Sequence, residues 1–247
     1  MKAMIFAAGL GTRLKPLTDT MPKALVPVAG KPLLWHTIRK LKATGFDEII
    51  INVHHFAEQI IDYIKANNGF DIRIEFSDET RALLDTGGGV KKASWFFDDE
   101  KPFLIHNVDI LSDIDLQDLY RFHTSGNSAA TLVVSERETS RYLLFDENNH
   151  LKGWINEKTG ETKSPFPDFN SDRYKKLAFS GIHVLNPSIL GHMQDFPEKF
   201  SIIDFYLSVC KTHSITGYAP PNMKMTDVGK IDSLKEADKL AYRREFI

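Results

Sequence analysis

The chain has 247 residues, with 31 lysines and arginines against 33 aspartates and glutamates, a formal net charge of −2. Such a length buries a large core, and the lack of a basic excess argues against nucleic acid or an anionic membrane as a bulk partner. The one cysteine, Cys210, excludes an intrachain disulfide and lies in an apolar stretch, where we interpret it as a core residue. No apolar run approaches 18 residues, so we expect a cytoplasmic protein.

The first apolar run, residues 3–8, predicts a buried strand because it is short and ends at a glycine. The next five residues, 9–13, read Gly-Leu-Gly-Thr-Arg, and Lys23 follows a proline further on. Glycines directly after a strand let the backbone turn and present N–H donors to phosphate oxygens. Arg13 and Lys23 add positive charge where a polyphosphate would lie. We therefore predict a phosphate-binding loop at the carboxyl end of the first strand.

Two familiar phosphate motifs do not explain this loop. The pattern of a glycine, four residues and Gly-Lys-Ser/Thr is absent from it. The dinucleotide pattern requires a third glycine at the position that Leu14 occupies. A glycine pair after a strand is also found in simple connections, and that alternative remains open from the glycines alone.

Strand-like and helix-like segments alternate through the first half of the chain. Strands are predicted at residues 3–8, 48–53, 72–76 and 103–106, and helices at 33–41, 56–64, 90–97 and 116–123. This alternation predicts an α/β fold, a three-layer Rossmann-like arrangement with a mixed, mostly parallel central sheet. Ligands of such sheets bind beyond the carboxyl ends of the strands.

The second half has shorter strand-like runs. Strands are predicted at residues 131–134, 142–145, 151–155, 179–185 and 223–228, and helices at 202–210 and 231–241. Asn148 and Asn149 predict a hairpin turn, and the polar stretch 156–176 is interpreted as a surface loop. We expect one domain, residues 1–247, with a nucleotide-binding half at 1–125 and an acceptor-binding half at 126–247.

Two aspartates follow predicted strands. Asp109 comes after the strand at 103–106, and Asp227 ends the strand at 223–228. Carboxylates beside a phosphate loop are the hard oxygen ligands that Mg²⁺ prefers, and two of them could converge on one ion. The alternative is that each aspartate caps a helix or turns the chain. The glycines at 87–89 are expected to form a helix-entry loop that offers bare backbone to a base or sugar, or is simply flexible.

Several of these segments together resemble the sugar-1-phosphate nucleotidyltransferases. The resemblance spans nearly the whole chain, and its amino-terminal signature is highly specific. It is carried by residues 7–13, 16–18, 22–23, 86–89, Asp109, 179–181 and 227–229. Among the compact members, the sequence is similar to those acting on N-acetylmuramate 1-phosphate and to mannose-1-phosphate guanylyltransferases.

The resemblance implies a role for each matching residue on the nucleotide side. Arg13 would position the pyrophosphate leaving group, Lys23 would contact the α-phosphate, and Asp109 and Asp227 would hold Mg²⁺. Arg13, Lys23 and Asp109 are thus the expected catalytic residues. The expected nucleotide-binding residues are Ala8, Gly9, Gly11, Thr12, Arg13, Lys23, Gly88 and Asn107.

On the acceptor side, the resemblance implies that Glu157 contacts the sugar hydroxyls, Lys158 the sugar phosphate and Gly181 the sugar itself. Two positions depart from the family's pattern. Val108 stands where a glycine usually precedes the metal aspartate, which narrows the backbone freedom there. Thr159 replaces the usual proline after the Glu-Lys pair, and this weakens the acceptor assignments.

The reaction that the resemblance implies is Mg²⁺-dependent transfer of a nucleoside monophosphate from a nucleoside triphosphate to a sugar 1-phosphate. UTP and N-acetylmuramate 1-phosphate are the expected substrates. One alternative is a cytidylyltransferase acting on a non-sugar phosphate such as phosphocholine. The others are a non-catalytic nucleotide-sugar sensor and a glycosyltransferase, although the latter has no need of a triphosphate loop.

Overall fold

The computed structural model describes residues 1–242 and alternates strands with helices. Its strands are β1 (Lys2–Phe6), β2 (Pro27–Val28), β3 (Lys31–Pro32), β4 (Glu48–Val53), β5 (Arg73–Asp78), β6 (Phe103–Asn107), β7 (Ile110–Ser112), β8 (Ala130–Ser135), β9 (Arg141–Phe145), β10 (Leu151–Asn156), β11 (Glu161–Lys163), β12 (Lys175–Leu185), β13 (Ile215–Tyr218) and β14 (Met225–Asp227). Its α-helices are α1 (Leu33–Ala43), α2 (Ala57–Ala66), α3 (Asp85–Ala93), α4 (Leu116–Ser125), α5 (Ile202–Val209) and α6 (Ile231–Tyr242). The predicted α/β class with a mixed sheet is confirmed.

The chain folds as two units that are interleaved along the sequence. The first unit contains residues 1–83, residues 105–116 and the described residues from Met223 onward. The second unit contains residues 84–104 and 117–222. These units do not follow the expected division into 1–125 and 126–247, because the chain leaves the first unit at residue 84 and returns to it twice.

The first unit is built on parallel strands. Strand β4 pairs in parallel with β1 on one side and with β5 on the other, and β6 neighbours β1. The interior of β4, residues 49–53, is buried without alternation, as expected of a parallel strand covered on both faces. The sequence prediction for this strand, residues 48–53, is confirmed at both ends. In α1 the predicted apolar face is buried in full (Leu33, Leu34, Ile38 and Leu41).

The second unit is largely antiparallel. Strand β10 pairs with β9 and β11, and β12 pairs with β8 and β9, all antiparallel, while β13 joins β8 in parallel. The β9–β10 hairpin turns through Asn149, whose φ is 59°, as its asparagines predict. The stretch 156–176 is not a loop throughout: it contains β11, a 3₁₀ turn at Ser171–Arg173 and the start of β12.

The described helices and the single cysteine bear on two further expectations, and Cys210 is less buried than the core residue that we expected. None of the described helices is long and apolar enough to cross a membrane. Cys210 is a half-buried free thiol whose Sγ donates to the carbonyl oxygen of Leu207. Burial raises the pKa of this thiol to about 11, so Cys210 is protonated and unreactive at neutral pH.

Candidate active site

The loop that follows β1 is held by a buried side chain from β4. The Oδ1 atom of Asn52 accepts hydrogen bonds from the backbone N–H groups of Ala7 at 2.7 Å and Ala8 at 3.3 Å. The amide nitrogen of Asn52 donates to Oε1 of Glu79 at 2.8 Å. Asn52 is 3 % exposed and Glu79 is 1 % exposed. The Asn52–Glu79 pair therefore determines how the first residues of the predicted phosphate loop leave the sheet.

The turn itself requires a glycine at position 11. Gly11 has a φ of 64°, a left-handed conformation that other residues adopt only with strain. A Cβ there would lie 2.8 Å from Cγ2 of Thr18. The hydroxyl of Thr18 donates to the carbonyl oxygen of Gly11 at 2.9 Å and locks the turn. Thr12 and Arg13 then begin a 3₁₀ turn, both exposed, and Gly9 is exposed as well.

Lys23 and Asp109 form an ion pair beside this loop. Lys23 is buried on a short 3₁₀ turn, and its Nζ donates to Oδ2 of Asp109. The two side chains are only 11 % and 18 % exposed, so little water screens them. A cation and a carboxylate that the sequence separates by 86 residues are thus neighbours.

Asp227 reaches the same place because β14 pairs with β7. The register sets Asp227 opposite Ile110, the residue after Asp109, and the N–H of Val228 donates to the carbonyl oxygen of Asp109 at 2.8 Å. A Cβ on Gly229 would lie 2.7 Å from both Oδ1 of Asp227 and an Nη atom of Arg13. All of the predicted catalytic and metal residues therefore gather within the first unit.

This donor set fits a magnesium ion bound together with a nucleotide. Asp109 and Asp227 supply hard carboxylate oxygens from two paired strands, and Mg²⁺ on a nucleotide takes one or two carboxylates, with phosphates and water completing its shell. The part of the chain that the structure describes has no group of three acidic, histidine or cysteine residues suited to hold a metal alone. The fit therefore depends on phosphate oxygens.

The segment that carries Asp109 is fastened by helix α1. The hydroxyl of Thr37 donates to the carbonyl oxygen of Val108 at 3.4 Å, and Nζ of Lys40 donates to the carbonyl oxygen of Ser112. Burial lowers the pKa of Lys40 to about 8, against the opposing pull of Asp113 and Asp115. Val108, which stands where the resemblance leads us to expect glycine, is 3 % exposed and packs into the core.

His106 lies at the foot of this segment and makes the fold sensitive to acid. Its Nδ1–H donates to the carbonyl oxygen of Asn107 at 2.8 Å, whereas its buried Nε2 has no partner among the described residues. Burial lowers the pKa of His106 to about 4. Between pH 6.5 and 4 the unfolded chain therefore binds a proton that the native state does not, and the free energy of unfolding should fall by about 3 kcal/mol across that window.

The His106→Phe variant is expected to lack this part of the acid dependence. Urea unfolding at pH 7 and pH 4.5 measures it in both proteins. Parallel pH profiles for wild type and variant would contradict the prediction.

The second unit contains a cavity of about 570 Å³ on one face of the sheet formed by β9, β10 and β11. Side chains alternate along a strand, and the register sets two rows side by side. One row is Arg141, Asn156 and Glu161, and the next is Leu143, Trp154 and Lys163. The first turn of α5, with Ser201, Ile203 and Asp204, adds to the lining, as do Asp85, Arg137, Thr139, Tyr142 and Phe179.

The cavity combines an aromatic surface with charged groups. Lys163 Nζ lies 5.3 Å from the ring centroid of Trp154 and 3.0 Å from Oδ1 of Asp204. Arg137 donates to the carbonyl oxygen of Phe179 at 3.0 Å. An aromatic face surrounded by hydrogen-bonding groups is suited to bind a polar molecule of the size of a sugar.

The predicted acceptor residues lie outside the lining of this cavity. Glu157 is exposed on the turn after β10 and pairs with Lys176 at 2.9 Å, and this ion pair raises the pKa of Lys176. Lys158 is exposed on the same turn. Gly181 has a φ of 71° at a shift of register between β12 and β8, so its backbone requires glycine. Substrate roles for Glu157, Lys158 and Gly181 stay predictions.

The glycines at 87–89 do not form a loop, because they lie inside α3 and are buried. A Cβ on Gly88 would stand 2.1 Å from the carbonyl oxygen of Glu198, and one on Gly87 would stand 2.3 Å from the ring of Phe200. Because glycine has no Cβ, residues 198–200 can pack directly against α3. The carbonyl oxygen of Phe200 accepts the N–H of Gly87 at 2.9 Å. A base-binding role for Gly88 stays a prediction beside this packing role.

Gly88→Ala is expected to lower the free energy of unfolding by about 2–3 kcal/mol, the cost of overpacking a core contact. Gly191→Ala is the matched control, since a Cβ at Gly191 would meet nothing within 4 Å. Urea denaturation of both variants tests this, and equal stabilities would contradict the packing role.

The sequence interpretation missed two sets of residues. Asn52 and Glu79 carry no motif, although a polar residue inside the buried run of β4 was a usable signal. The cavity side chains were missed because β9 and β10 were recognised as a hairpin without its register. Only the register shows that Arg141 and Trp154 share a face.

Known proteins resemble this chain over most of its length. A family model described as nucleotidyl transferase matches residues 2–243. The chain is 33 % identical to N-acetylmuramate alpha-1-phosphate uridylyltransferase of Neisseria meningitidis serogroup B, over 98 % of both chains. It is 28 % identical to UTP–glucose-1-phosphate uridylyltransferase of Synechocystis, over 99 % of this chain and 64 % of that one. It is 32 % identical to mannose-1-phosphate guanylyltransferase 1 of Arabidopsis thaliana, over 78 % of this chain and 52 % of that one.

Solved structures share the fold. The complex of UDP-glucose pyrophosphorylase with UDP-glucose has a TM-score of 0.79 at 17 % identity, over 98 % of both chains. HddC from Yersinia pseudotuberculosis, complexed with GMP-PN, has a TM-score of 0.73 at 23 % identity, over 96 % of this chain and 98 % of that one. The resemblance to sugar-1-phosphate nucleotidyltransferases is confirmed, and the chain belongs to the nucleotidyl transferase family.

Proposed function

We propose that this protein transfers uridine monophosphate from UTP to N-acetylmuramate 1-phosphate, with Mg²⁺, and releases pyrophosphate. The observation that carries the proposal is the gathering of Arg13, Lys23, Asp109 and Asp227 at the loop after β1. Two cationic side chains and two carboxylates in one place suit a polyphosphate bound with a divalent cation.

In this reaction an oxygen of the sugar phosphate attacks the α-phosphorus of the nucleotide. A new oxygen–phosphorus bond forms as the bond from the α-phosphorus to the bridging oxygen breaks, and pyrophosphate leaves with that electron pair. The nucleophile is already an anion, so no residue needs to act as a base. Catalysis then comes from alignment of the two phosphates and from neutralising their mutual repulsion.

The residues divide this work. Asp109 and Asp227 would hold the Mg²⁺, which supplies positive charge to the phosphates when bound. Lys23, mostly removed from solvent, would stabilise charge on the α-phosphate, and the exposed Arg13 would hold the departing pyrophosphate. The turn at Gly11 keeps backbone N–H groups available to the triphosphate.

The cavity of the second unit is our candidate for the sugar. Trp154 offers a face for the apolar side of a sugar ring, and Asp204 offers an acceptor for its hydroxyls. The choice of substrates is supported by the uridylyltransferase from Neisseria, which this chain matches over 98 % of both lengths. The glucose and mannose enzymes are matched over 64 % and 52 % of their own lengths.

Pyrophosphate release tests the proposal. The purified protein is assayed with Mg²⁺ and each of four nucleoside triphosphates. The acceptors are phosphocholine and the 1-phosphates of N-acetylmuramate, N-acetylglucosamine, mannose and glucose. Release that requires UTP and N-acetylmuramate 1-phosphate is the expected result. Release with another pair would replace the substrates but keep the reaction class. Release with CTP and phosphocholine only, or UTP binding without any release, would contradict the proposal.

A further inference from the structure

Two arginines line the second-unit cavity. They are Arg137 and Arg141, and neither guanidinium forms an ion pair with any residue in the described part of the chain. Arg137 is oriented by its hydrogen bond to the carbonyl oxygen of Phe179 at 3.0 Å. Arg141 projects from β9 in the row that also holds Asn156. The pair therefore presents guanidinium donors on the wall of the cavity.

Each carboxylate that lines the cavity already has an ion-pair or hydrogen-bond partner. Asp204 and Glu161 lie 3.0 Å and 3.9 Å from Nζ of Lys163, which neutralises part of their charge. Asp85 accepts the N–H of Thr86 at 2.6 Å at the start of α3. Arg137 and Arg141 are therefore the cationic side chains of the lining that form no ion pair with a described carboxylate. A planar guanidinium matches a carboxylate or phosphate in a two-point contact.

We infer that Arg137 and Arg141 bind a carboxylate carried by the sugar, and so select an acidic amino-sugar phosphate over its neutral counterpart. This inference rests on the proposed function. N-acetylmuramate differs from N-acetylglucosamine by one lactyl ether, which ends in a carboxylate.

Binding of the two sugar phosphates, measured by calorimetry without nucleotide, tests the inference directly. The wild type is expected to bind N-acetylmuramate 1-phosphate more tightly than N-acetylglucosamine 1-phosphate. Arg141→Gln should lower the ratio of the two affinities by about 10- to 100-fold, as expected for the loss of a charged hydrogen bond. Arg137→Gln should act in the same direction, and Arg141→Lys should restore part of the preference.

The matched control is Arg173→Gln, an exposed arginine of the second unit that lies outside the cavity lining, and it should keep the wild-type ratio. An equal loss of affinity for both sugar phosphates would overturn the inference, because the arginines would then be reading the shared phosphate. Equal wild-type affinities, or no binding of either, would also overturn it. Selective binding without pyrophosphate release would support the inference and contradict the proposed function.

Discussion

Asp109→Asn is expected to lower kcat for pyrophosphate release by about 10²–10³-fold, the usual cost of losing one electrostatic contact to a transition state. The substitution keeps the size of the side chain but removes the charge that pairs with Lys23 and would hold Mg²⁺ with Asp227. Initial rates at saturating substrates measure the loss, and circular dichroism with thermal melting checks the fold.

Asp62→Asn is the control for this experiment, since Asp62 is an exposed aspartate of helix α2 in the same unit. It should leave kcat and the melting temperature unchanged. Wild-type kcat for Asp109→Asn at ordinary Mg²⁺ concentrations would remove Asp109 from the metal site and from catalysis.

Asn52→Asp is expected to lower the free energy of unfolding by about 3–5 kcal/mol, the range for an uncompensated buried charge. In the present 2.8 Å hydrogen bond, the amide nitrogen of Asn52 donates to Glu79. A carboxylate at position 52 has no such donor and would face the carboxylate of Glu79 across a buried contact. Because the same side chain holds the N–H groups of Ala7 and Ala8, KM for the nucleotide should rise as well, by about tenfold for a misplaced loop.

Exchanging the carboxylate and the amide between positions 52 and 79 distinguishes support of the loop by this pair from a general loss of packing. In the double variant Asn52→Asp, Glu79→Gln, the aspartate still accepts from the loop and now receives the glutamine amide in place of a second carboxylate. Stability and nucleotide KM should both return toward wild type. Glu79→Gln alone retains an acceptor for Asn52 and should change little. Failure of the double variant to recover either quantity would contradict the Asn52–Glu79 pair as the support of the phosphate loop.

Local sequence alone was sufficient to predict the elements whose formation does not depend on a particular partner segment. Residues 48–53 form a strand at the predicted bounds because a run of β-branched side chains is covered on both faces. The glycine turn after β1 was also predictable, since Gly11 needs a left-handed backbone that its neighbours in sequence already enforce through Thr18. In both cases the deciding interactions are local, or require only that the segment be buried.

The glycines at 87–89 show where this reasoning fails. Their low helix propensity predicts a loop, but they lie within α3 because residues 198–200 approach so closely that a side chain at Gly88 would collide with a carbonyl oxygen. Close packing between distant segments overrode the local preference. No pattern in the sequence indicates that residues 87–89 and 198–200 are in contact.

From its sequence, then, this protein's family and the glycine turn after β1 could be predicted, because each depends on residues close together in the chain or on a recognisable motif. The phosphate-binding role of that turn and the metal-binding role of Asp109 and Asp227 stay predictions. Only the tertiary structure brought Asp227 beside Asp109, through the pairing of two three-residue strands that are too short to show a period. It alone also set Arg141 and Trp154 on one face of the second-unit sheet. Strand register depends on pairing between distant segments, and a change of one residue would turn either side chain to the opposite face.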